Sequence, residues 1–575
     1  MPADNLVALF LEQVRARGSA TALRSKRDGK WVPASWTEWE ARARAVARTL
    51  VAAGVQKGDR VVIFGNTREE WVVADLGILM AGATTVPIYP SLVGDQAAYI
   101  VRDSGAKILF AEDASFVTRL READAKVVDG LARTILFAEL AVPALAGQAA
   151  DAAQEAAARV DERIAAVRPE DLATLVYTSG TTGPPKGVML AHANLVADAD
   201  GLAQVIPLTA EDEQLLFLPL AHIFGKMLVV SAIRLGYATA FAETMLKALD
   251  NAAEVRPTFM GAVPRVFEKV YAVANEKAAS AGGMKQRLFS WATEVGKRKQ
   301  GGWGGFWADR LVLSKIRARF GGRIKFLISA GAPLAKELAD WFDGAGIPVL
   351  EAYGLTETTG GTTMNGPGRQ RYGTVGPALP GVQVKIAADG EVLVRGPTVM
   401  KGYWGHEQAT REVIDADGWF HTGDIGEIDG DGYLRITDRK KDIIVTAGGK
   451  NVAPQNIENL MKQSAWVSQA MVYGDKRPYL VALVTLNVDT VARFAREKGI
   501  AGEPGALAEH AEVRAELQRA VDDVNARLSS FETVKKFAIL ERDFTIEGGE
   551  LTPTLKVKRK VVSDRYKSLL ENLYA

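Results

Sequence analysis

From Trp36 to Tyr89 the chain repeatedly switches period. WTEWEARARAVARTLVAAGV carries apolar residues at helical spacing, DRVVIFG is a short β-branched run, EEWVVADLGILMAG is helical again, and TTVPIY returns to strand. Strands that alternate with helices pair in parallel, because the crossover helix returns the chain in the same direction. The pattern therefore predicts an α/β fold. AKILFAE, RTILFA and LATLVYTS continue the rhythm, and the alanine-rich residues 138–168 read as a helical connector. Further on, GVQVKIAADGEVLVRGPTVMKGYW and IGEIDGDGYLRITDRKKDIIVTAGGKNV read as strand–turn–strand with DG turns, an antiparallel β region. After Val452 helices and strands mix again. A chain of 575 residues exceeds one ordinary core. The expectation is a large N-terminal domain, 1–437, of parallel α/β subdomains plus a β region, and a small α+β C-terminal domain, 438–575. The charged run Thr437–Asp442 is the boundary.

Composition narrows the function. Lys plus Arg number 70 against 69 Asp plus Glu, a balance that argues against a nucleic-acid partner. The absence of cysteine excludes disulfides, thiolate metal sites and a cysteine nucleophile, and fits a cytoplasmic protein. The N-terminus lacks a basic start followed by an apolar run, so no signal peptide is expected. The most apolar window, from Leu76, holds two glycines and two prolines and reads as a buried helix followed by a strand, not as a membrane span.

YTSGTTGPPKG, Tyr177–Gly187, lies between two strand-like runs. A bare turn does not need Thr178, Ser179, Thr181 and Thr182 together with Lys186. Gly180 and Gly183 let backbone N–H groups approach a ligand, the hydroxyls add donors, and Lys186 adds a positive charge: a nest suited to phosphate. It is not a Walker A loop, since Pro185 stands five positions after Gly180 and Gly187 follows Lys186.

YTSGTTGPPKGVMLAH resembles the phosphate-loop signature of the adenylate-forming (AMP-binding) superfamily. Other stretches resemble its remaining motifs. By that resemblance, in EAYGLTETTG Tyr353 packs on adenine beside Gly354, Thr356 meets the AMP phosphate, and Glu357, with Thr181, holds Mg²⁺. Gly331 and Ala332, in SAGAPL, fall on the adenine side. Asp424, in WFHTGDIG, binds the ribose hydroxyls with Arg439 as its companion. Lys441 falls at the hinge on which the small, mobile C-terminal domain swings. Lys556, in ELTPTLKVKRK, is the catalytic lysine, with Lys558 its nearest competitor; read without the resemblance it is one of four cations in a basic strand. His222, in LPLAHIFGK, lines the acyl site. Gly448 and Gly449, in TAGGKN, meet the pantetheine arm of coenzyme A.

The resemblance implies ATP, Mg²⁺ and coenzyme A as cofactors. GAVPRVFEKVY, Gly261–Tyr271, resembles the long-chain fatty acyl-CoA synthetase branch, and no acidic residue between Pro257 and Phe267 awaits a substrate amine. The expected activity is an AMP-forming long-chain fatty acid–CoA ligase. A fatty acyl-AMP ligase and an aryl- or medium-chain acyl-CoA ligase remain as alternatives. A carrier-loading domain is disfavoured because the chain ends soon after Lys556, and a non-catalytic scaffold because Lys186, Glu357, Asp424 and Lys556 are retained together. Residues 285–325 carry eleven Lys plus Arg against two Asp plus Glu, interleaved with Phe289, Trp291, Trp303, Phe306 and Trp307. The segment reads either as a solvated helix with core-facing aromatics or as a membrane-surface patch that collects fatty acid. Oligomeric state stays open.

Overall fold

The computed structural model describes residues 3–141, 150–178, 184–502, 506–552 and 556–575. The chain divides into two compact units. One comprises Met1–Lys385, Leu393–Thr422 and Ile428–Arg435; the other comprises Ile386–Val392, Gly423–Glu427 and Ile436–Ala575.

The first unit contains two large sheets, and the helix–strand rhythm becomes their parallel strands. One has seven strands in the order Gly402–Tyr403, Lys186–Ala191, Leu172–Thr178, Thr84–Ile88, Arg60–Phe64, Ile108–Ala111, Arg133–Leu136. Arg60–Phe64 pairs in parallel with Thr84–Ile88 on one side and Ile108–Ala111 on the other. Val61, Val62, Ile63 and Phe64 are all fully buried, as both faces of a central parallel strand must be. The helix Glu69–Met80 packs on Arg60–Phe64 and Thr84–Ile88, and the helix Trp36–Ala52, opened by a Ser35–Glu38 capping box, packs on Glu69–Met80. Leu172–Thr178 and Lys186–Ala191 form an antiparallel pair, so the glycine-rich loop joins the two arms of a hairpin.

The second sheet has eight strands: Thr363–Met364, Val349–Tyr353, Phe326–Ser329, Phe259–Ala262, Glu213–Leu216, Ala238–Phe241, Thr21–Arg27, Lys30–Ser35. Its middle is parallel. The two strand–turn–strand readings become a four-stranded sheet of Gln383–Ile386, Glu391–Arg395, Phe420–Ile428 and Leu434–Arg439, in that order. The alanine-rich connector contains the helix Ala150–Ala165; residues 142–149 lie outside the described residues.

In the second unit, Leu480–Leu486 is the middle strand between Val467–Tyr473 and Val534–Leu540. Its side chains alternate between two cores. Leu480, Ala482 and Val484 pack with Ile457, Val491 and Leu517 from three helices, while Val481 and Leu483 pack with Phe544, Leu551, Val562 and Leu570. Burial on both faces explains its uninterrupted apolar sequence.

Two readings are corrected. Lys556 does not sit in a regular strand: a single antiparallel bridge joins Leu551 to Val557, and a helix begins at Arg559. The aromatics of 285–325 do not all face the core, since Trp291, Trp303, Phe306 and Trp307 are exposed.

Candidate active site

Five residues of the phosphate-loop reading, Ser179, Gly180, Thr181, Thr182 and Gly183, lie outside the described residues. The arms that carry the loop are described. Thr178 faces Lys186 across the hairpin, which sets both at the end where the loop joins the two strands. From there the chain runs through Lys186–Ala191 into the helix His192–Val205.

A five-residue segment, Met400–Trp404, joins this hairpin to the EAYGLTETTG turn. Tyr403 pairs with Val188 and Gly402 with Met189 in antiparallel fashion, and the Trp404 N–H donates to the Gly187 carbonyl at 2.8 Å. The Met400 N–H donates to the Glu357 carbonyl at 2.8 Å. The Tyr403 hydroxyl donates to Glu357 Oε1 at 2.9 Å, while Lys186 Nζ stands 5.2 Å from the Tyr403 ring centroid. Tyr403 thus stands between the cation and the carboxylate. Burial, and then the Glu357 charge, push its phenol well above the ordinary range, so it stays a neutral donor.

The turn itself is tightly built. Strand Val349–Tyr353 ends at Gly354, where an added Cβ would stand 2.0 Å from the Gly360 carbonyl oxygen. Thr356–Thr358 is a single 3₁₀ turn rather than the start of an α-helix. It closes through Gly360 N–H to the Leu355 carbonyl at 2.9 Å, and Thr359 adopts φ +64° with its hydroxyl donating to the Thr398 carbonyl. Gly361 N–H donates at 3.0 Å to Asp198 Oδ1, on the helix that follows the phosphate-loop hairpin. Burial pushes the Asp198 carboxyl well above the ordinary carboxylate range. Tyr353, Gly354, Thr356 and Glu357 are all half-buried.

Beside this turn, Phe326–Ser329 runs parallel to Val349–Tyr353 with Ser329 opposite Glu351. The strand ends into Gly331, whose φ of +87° suits glycine, followed by the exposed Ala332. The Ser329 hydroxyl is buried and has no hydrogen-bond partner among the described residues. Glu351 accepts from Gly373 N–H at 3.2 Å, and burial raises its carboxyl to about 7.

His222 caps the helix Ile223–Leu235. Its Nδ1 accepts from the Phe224 N–H at 3.0 Å, which leaves the proton on Nε2. The Tyr89 ring stands edge-on to it at 6.3 Å. The same helix packs closely on the strand Phe259–Ala262, for a Cβ at Gly261 would lie 2.6 Å from Leu228 Cδ1. His222 and GAVPRVFEK are thereby held in one layer.

In the second unit, Arg439 Nε donates to Asp424 Oδ1 at 2.9 Å, and Asp424 is buried. Lys441 is exposed, one residue beyond Lys440, which is paired with Asp389 and Glu391. Gly448 and Gly449 form the exposed tip of a hairpin between Ile444–Val445 and Asn451–Val452. Lys556 is exposed, and its N–H donates to Thr552 Oγ1 at 3.0 Å. The base of its hairpin is held by Glu550, fully buried against Arg542 at 2.7 Å and Arg565 at 2.6 Å. Just beyond, Arg559 pairs with Glu458 at 2.6 Å.

Sequence reasoning missed Tyr403, Asp198, Glu351, Glu550 and Arg559. Only Tyr403 carried a local signal, an aromatic after a glycine in KGYW; Asp198 and Arg559 act through partners more than a hundred residues away, Gly361 and Glu458, while Glu351 and Glu550 meet Gly373 and Arg542 and Arg565 only once the chain has turned back.

Among the described residues no group of three or more His, Cys, Asp or Glu could hold a metal ion. A lone hard carboxylate, Glu357, beside a hydroxyl and an ammonium fits Mg²⁺ carried by a nucleotide, where phosphate oxygens and water supply the other ligands.

The AMP-binding enzyme family matches residues 10–404, and the AMP-binding enzyme C-terminal domain matches residues 441–575. The chain belongs to the AMP-binding enzyme family. Its relatives include the long-chain-fatty-acid–CoA ligase FadD15 of Mycobacterium bovis, 41% identical over 99% of this chain and 97% of the relative. The peroxisomal long chain acyl-CoA synthetase 6 of Arabidopsis thaliana is 34% identical over 95% of this chain and 82% of its own length. The adenylation domain of a Mycobacterium chelonae carboxylate reductase shares the fold, with a TM-score of 0.76 at 23% identity over 100% of this chain and 92% of that one.

Proposed function

We propose that this AMP-binding enzyme is a long-chain fatty acid–CoA ligase that uses ATP, Mg²⁺ and coenzyme A. The arrangement that carries the proposal is Met400–Trp404, which sets Tyr403 between Lys186 and Glu357. Full-length relatives that bear long-chain ligase names support the choice of acid.

A carboxylate acylates poorly because oxide is a poor leaving group. In the first half-reaction a fatty acid oxygen attacks the α-phosphorus of ATP; the bond to pyrophosphate breaks and acyl-AMP forms. Negative charge gathers on phosphoryl oxygens, so positioned cations do most of the work. Lys186 and Lys556 supply such charge, and the phosphate loop from Thr178, including Ser179 through Gly183, cradles the phosphates. Thr356 meets the α-phosphate, Tyr353 stacks on adenine, and Gly354, Gly331 and Ala332 leave room for the base. Asp424, oriented by Arg439, accepts from the ribose hydroxyls. When bound, Mg²⁺ neutralises phosphate charge, and Glu357 with Thr181 holds it. In the second half-reaction the coenzyme A thiol sulfur attacks the acyl carbon, loses its proton and expels AMP. His222 lines the acyl site, and Gly448 and Gly449 let backbone approach the pantetheine arm. The boundary lies at 438–442, with Lys441 the hinge on which residues 438–575 swing between half-reactions. A cytoplasmic location with peripheral membrane contact through 285–325 completes the reading.

The test is a paired assay with ATP, Mg²⁺ and acids from acetate to oleate, reading pyrophosphate and acyl-CoA with and without CoA. Thioester that peaks with long acids is expected, and Lys556→Ala is expected to lose acyl-AMP formation while ATP still binds. Pyrophosphate without thioester would make the protein an acyl-AMP ligase. Silence with every acid overturns the substrate class.

A further inference from the structure

The helix that His222 caps carries a lysine in its first turn. Lys226 is 2% exposed, and Asp75, on the helix Glu69–Met80, is 7% exposed. Lys226 Nζ donates to both Asp75 carboxylate oxygens at 2.8 Å and stands 5.6 Å from the Trp71 ring centroid. The surroundings are apolar. Trp39, Trp71, Leu76, Val229 and Ile233 line the small void beside the pair, about 10 Å³, which is room for one water at most. A buried ion pair is a weak way to stabilise a fold, since an apolar pair of the same volume does as well or better. What the ion pair adds is a single geometry. Two packed aliphatic side chains tolerate sliding; an ammonium shared between two carboxylate oxygens does not.

The pair is continued on both sides. Towards His222, the Lys226 N–H donates to the His222 carbonyl at 3.1 Å. Towards the phosphate hairpin, the Thr85 hydroxyl donates to Asp75 Oδ1 at 2.7 Å, and the Thr85 carbonyl accepts from the Thr174 hydroxyl at 3.0 Å. Thr85 and Thr174 are both fully buried and stand opposite each other on the parallel strands Thr84–Ile88 and Leu172–Thr178. Thr178, where the glycine-rich loop begins, follows on the same strand. One buried polar line thus joins the His222 cap, beside one sheet, to an arm of the hairpin in the other. A second tie grips the other end of the LPLAH segment. The Thr67 hydroxyl, just before the helix that bears Asp75, donates to the Leu218 carbonyl at 2.7 Å and accepts from the Leu220 N–H at 3.1 Å.

We propose that Lys226 and Asp75 are positioning residues: their ion pair, continued through Thr85 and Thr174, fixes the His222 cap against the phosphate hairpin and so sets how the acid meets ATP. The tether stands on its geometry; its effect on an acid rests on the ligase reading above. Neither side chain touches a reacting atom. Their work is to hold two sites, built on different sheets, in one register, because attack on the α-phosphorus tolerates little misplacement.

The test compares two double variants of the whole protein, since removing one partner alone would strand a buried charge. Asp75→Leu/Lys226→Met removes the tether and keeps the volume; Asp75→Asn/Lys226→Gln replaces it with a neutral hydrogen bond. Both are expected to keep the thermal midpoint of the wild type to within a few degrees and to bind ATP, titrated without acid, as the wild type does. In pyrophosphate release the apolar variant is expected to lose about tenfold in kcat, and the hydrogen-bonded variant to recover most of it. An unchanged kcat in the folded apolar variant overturns the proposal. So does an equal loss in both variants, or a parallel loss of ATP affinity, which would make the pair an element of the fold alone; failure of both variants to fold has the same meaning. A second readout needs no turnover. With ¹⁵N-labelled histidine, the His222 imidazole signal, one of five and assigned through His222→Gln, is expected to shift in the apolar variant and to return in the hydrogen-bonded one. An unmoved signal overturns the tether. A signal that shifts and returns in a protein that activates no acid would sink the ligase reading and leave the tether standing.

Discussion

Tyr403 and Glu351 show what one side chain can decide. Removing the Tyr403 hydroxyl takes a donor from Glu357 without changing the ring that stands beside Lys186. Tyr403→Phe is expected to raise the Mg²⁺·ATP concentration for half-maximal pyrophosphate release several-fold. The stability cost should stay near 1 kcal/mol, typical of one hydrogen bond. An unchanged Mg²⁺ dependence would show that Glu357 needs no such support. Glu351 sits two residues before Tyr353, and burial lifts its carboxyl from 4.5 to about 7. A raised carboxyl favours folding while it is protonated. Above pH 4.5 the unfolded chain gives up this proton and the folded one keeps it, so stability falls until about pH 7 and then levels. The effect is on the order of 3 kcal/mol. Glu351→Gln should flatten that slope in denaturant titrations between pH 5 and 8; parallel profiles for the two proteins would exclude Glu351 as its source.

At the scale of elements, the candidate site is a matter of close approaches between short segments. Gly354 lies against the Gly360 carbonyl, a backbone atom that cannot swing away. Gly354→Ala should therefore open the 3₁₀ turn, cost about 3 kcal/mol and weaken ATP binding. Calorimetry and nucleotide titration would check this, and an unshifted thermal midpoint would contradict it. The period of the sequence was enough to read Arg60–Phe64, Thr84–Ile88 and the helices between them, since parallel crossovers follow from alternation. It could not say that Lys186–Ala191 folds back antiparallel on Leu172–Thr178, or that Gly402–Tyr403 adds to its free edge. Two residues of strand leave no periodic signal. Lys556 was legible as a cation in a basic run, but the bridge from Leu551 to Val557 and the buried Glu550 beneath it depend on Arg542 and Arg565, which nothing local announces.

Across the whole molecule, the division into units and the proposed hinge make one kinetic claim. Lys441→Pro, which holds φ near about −65°, should slow one half-reaction more than the other. Single-turnover measurement of acyl-AMP formation and of thioester formation separates them, and equal slowing would count against a hinge. By itself the sequence determined the α/β class, the β-rich region and the nucleotide motifs, because each is written in neighbouring residues: hydrophobic period, turn glycines, a hydroxyl-rich loop ending in lysine. Only the tertiary structure decided which distant groups meet. Tyr403 reaches Lys186 and Glu357, and Asp198 reaches Gly361, through sheet pairing and helix packing. It also decided which side of a helix faces water. The spacing of Trp303, Phe306 and Trp307 fits a buried stripe as well as an exposed one; packing of Ala308, Val312 and Ile316 against the core turned the rings outward. Local sequence sets the period of an element, but its orientation comes from the competition among all its faces for one core.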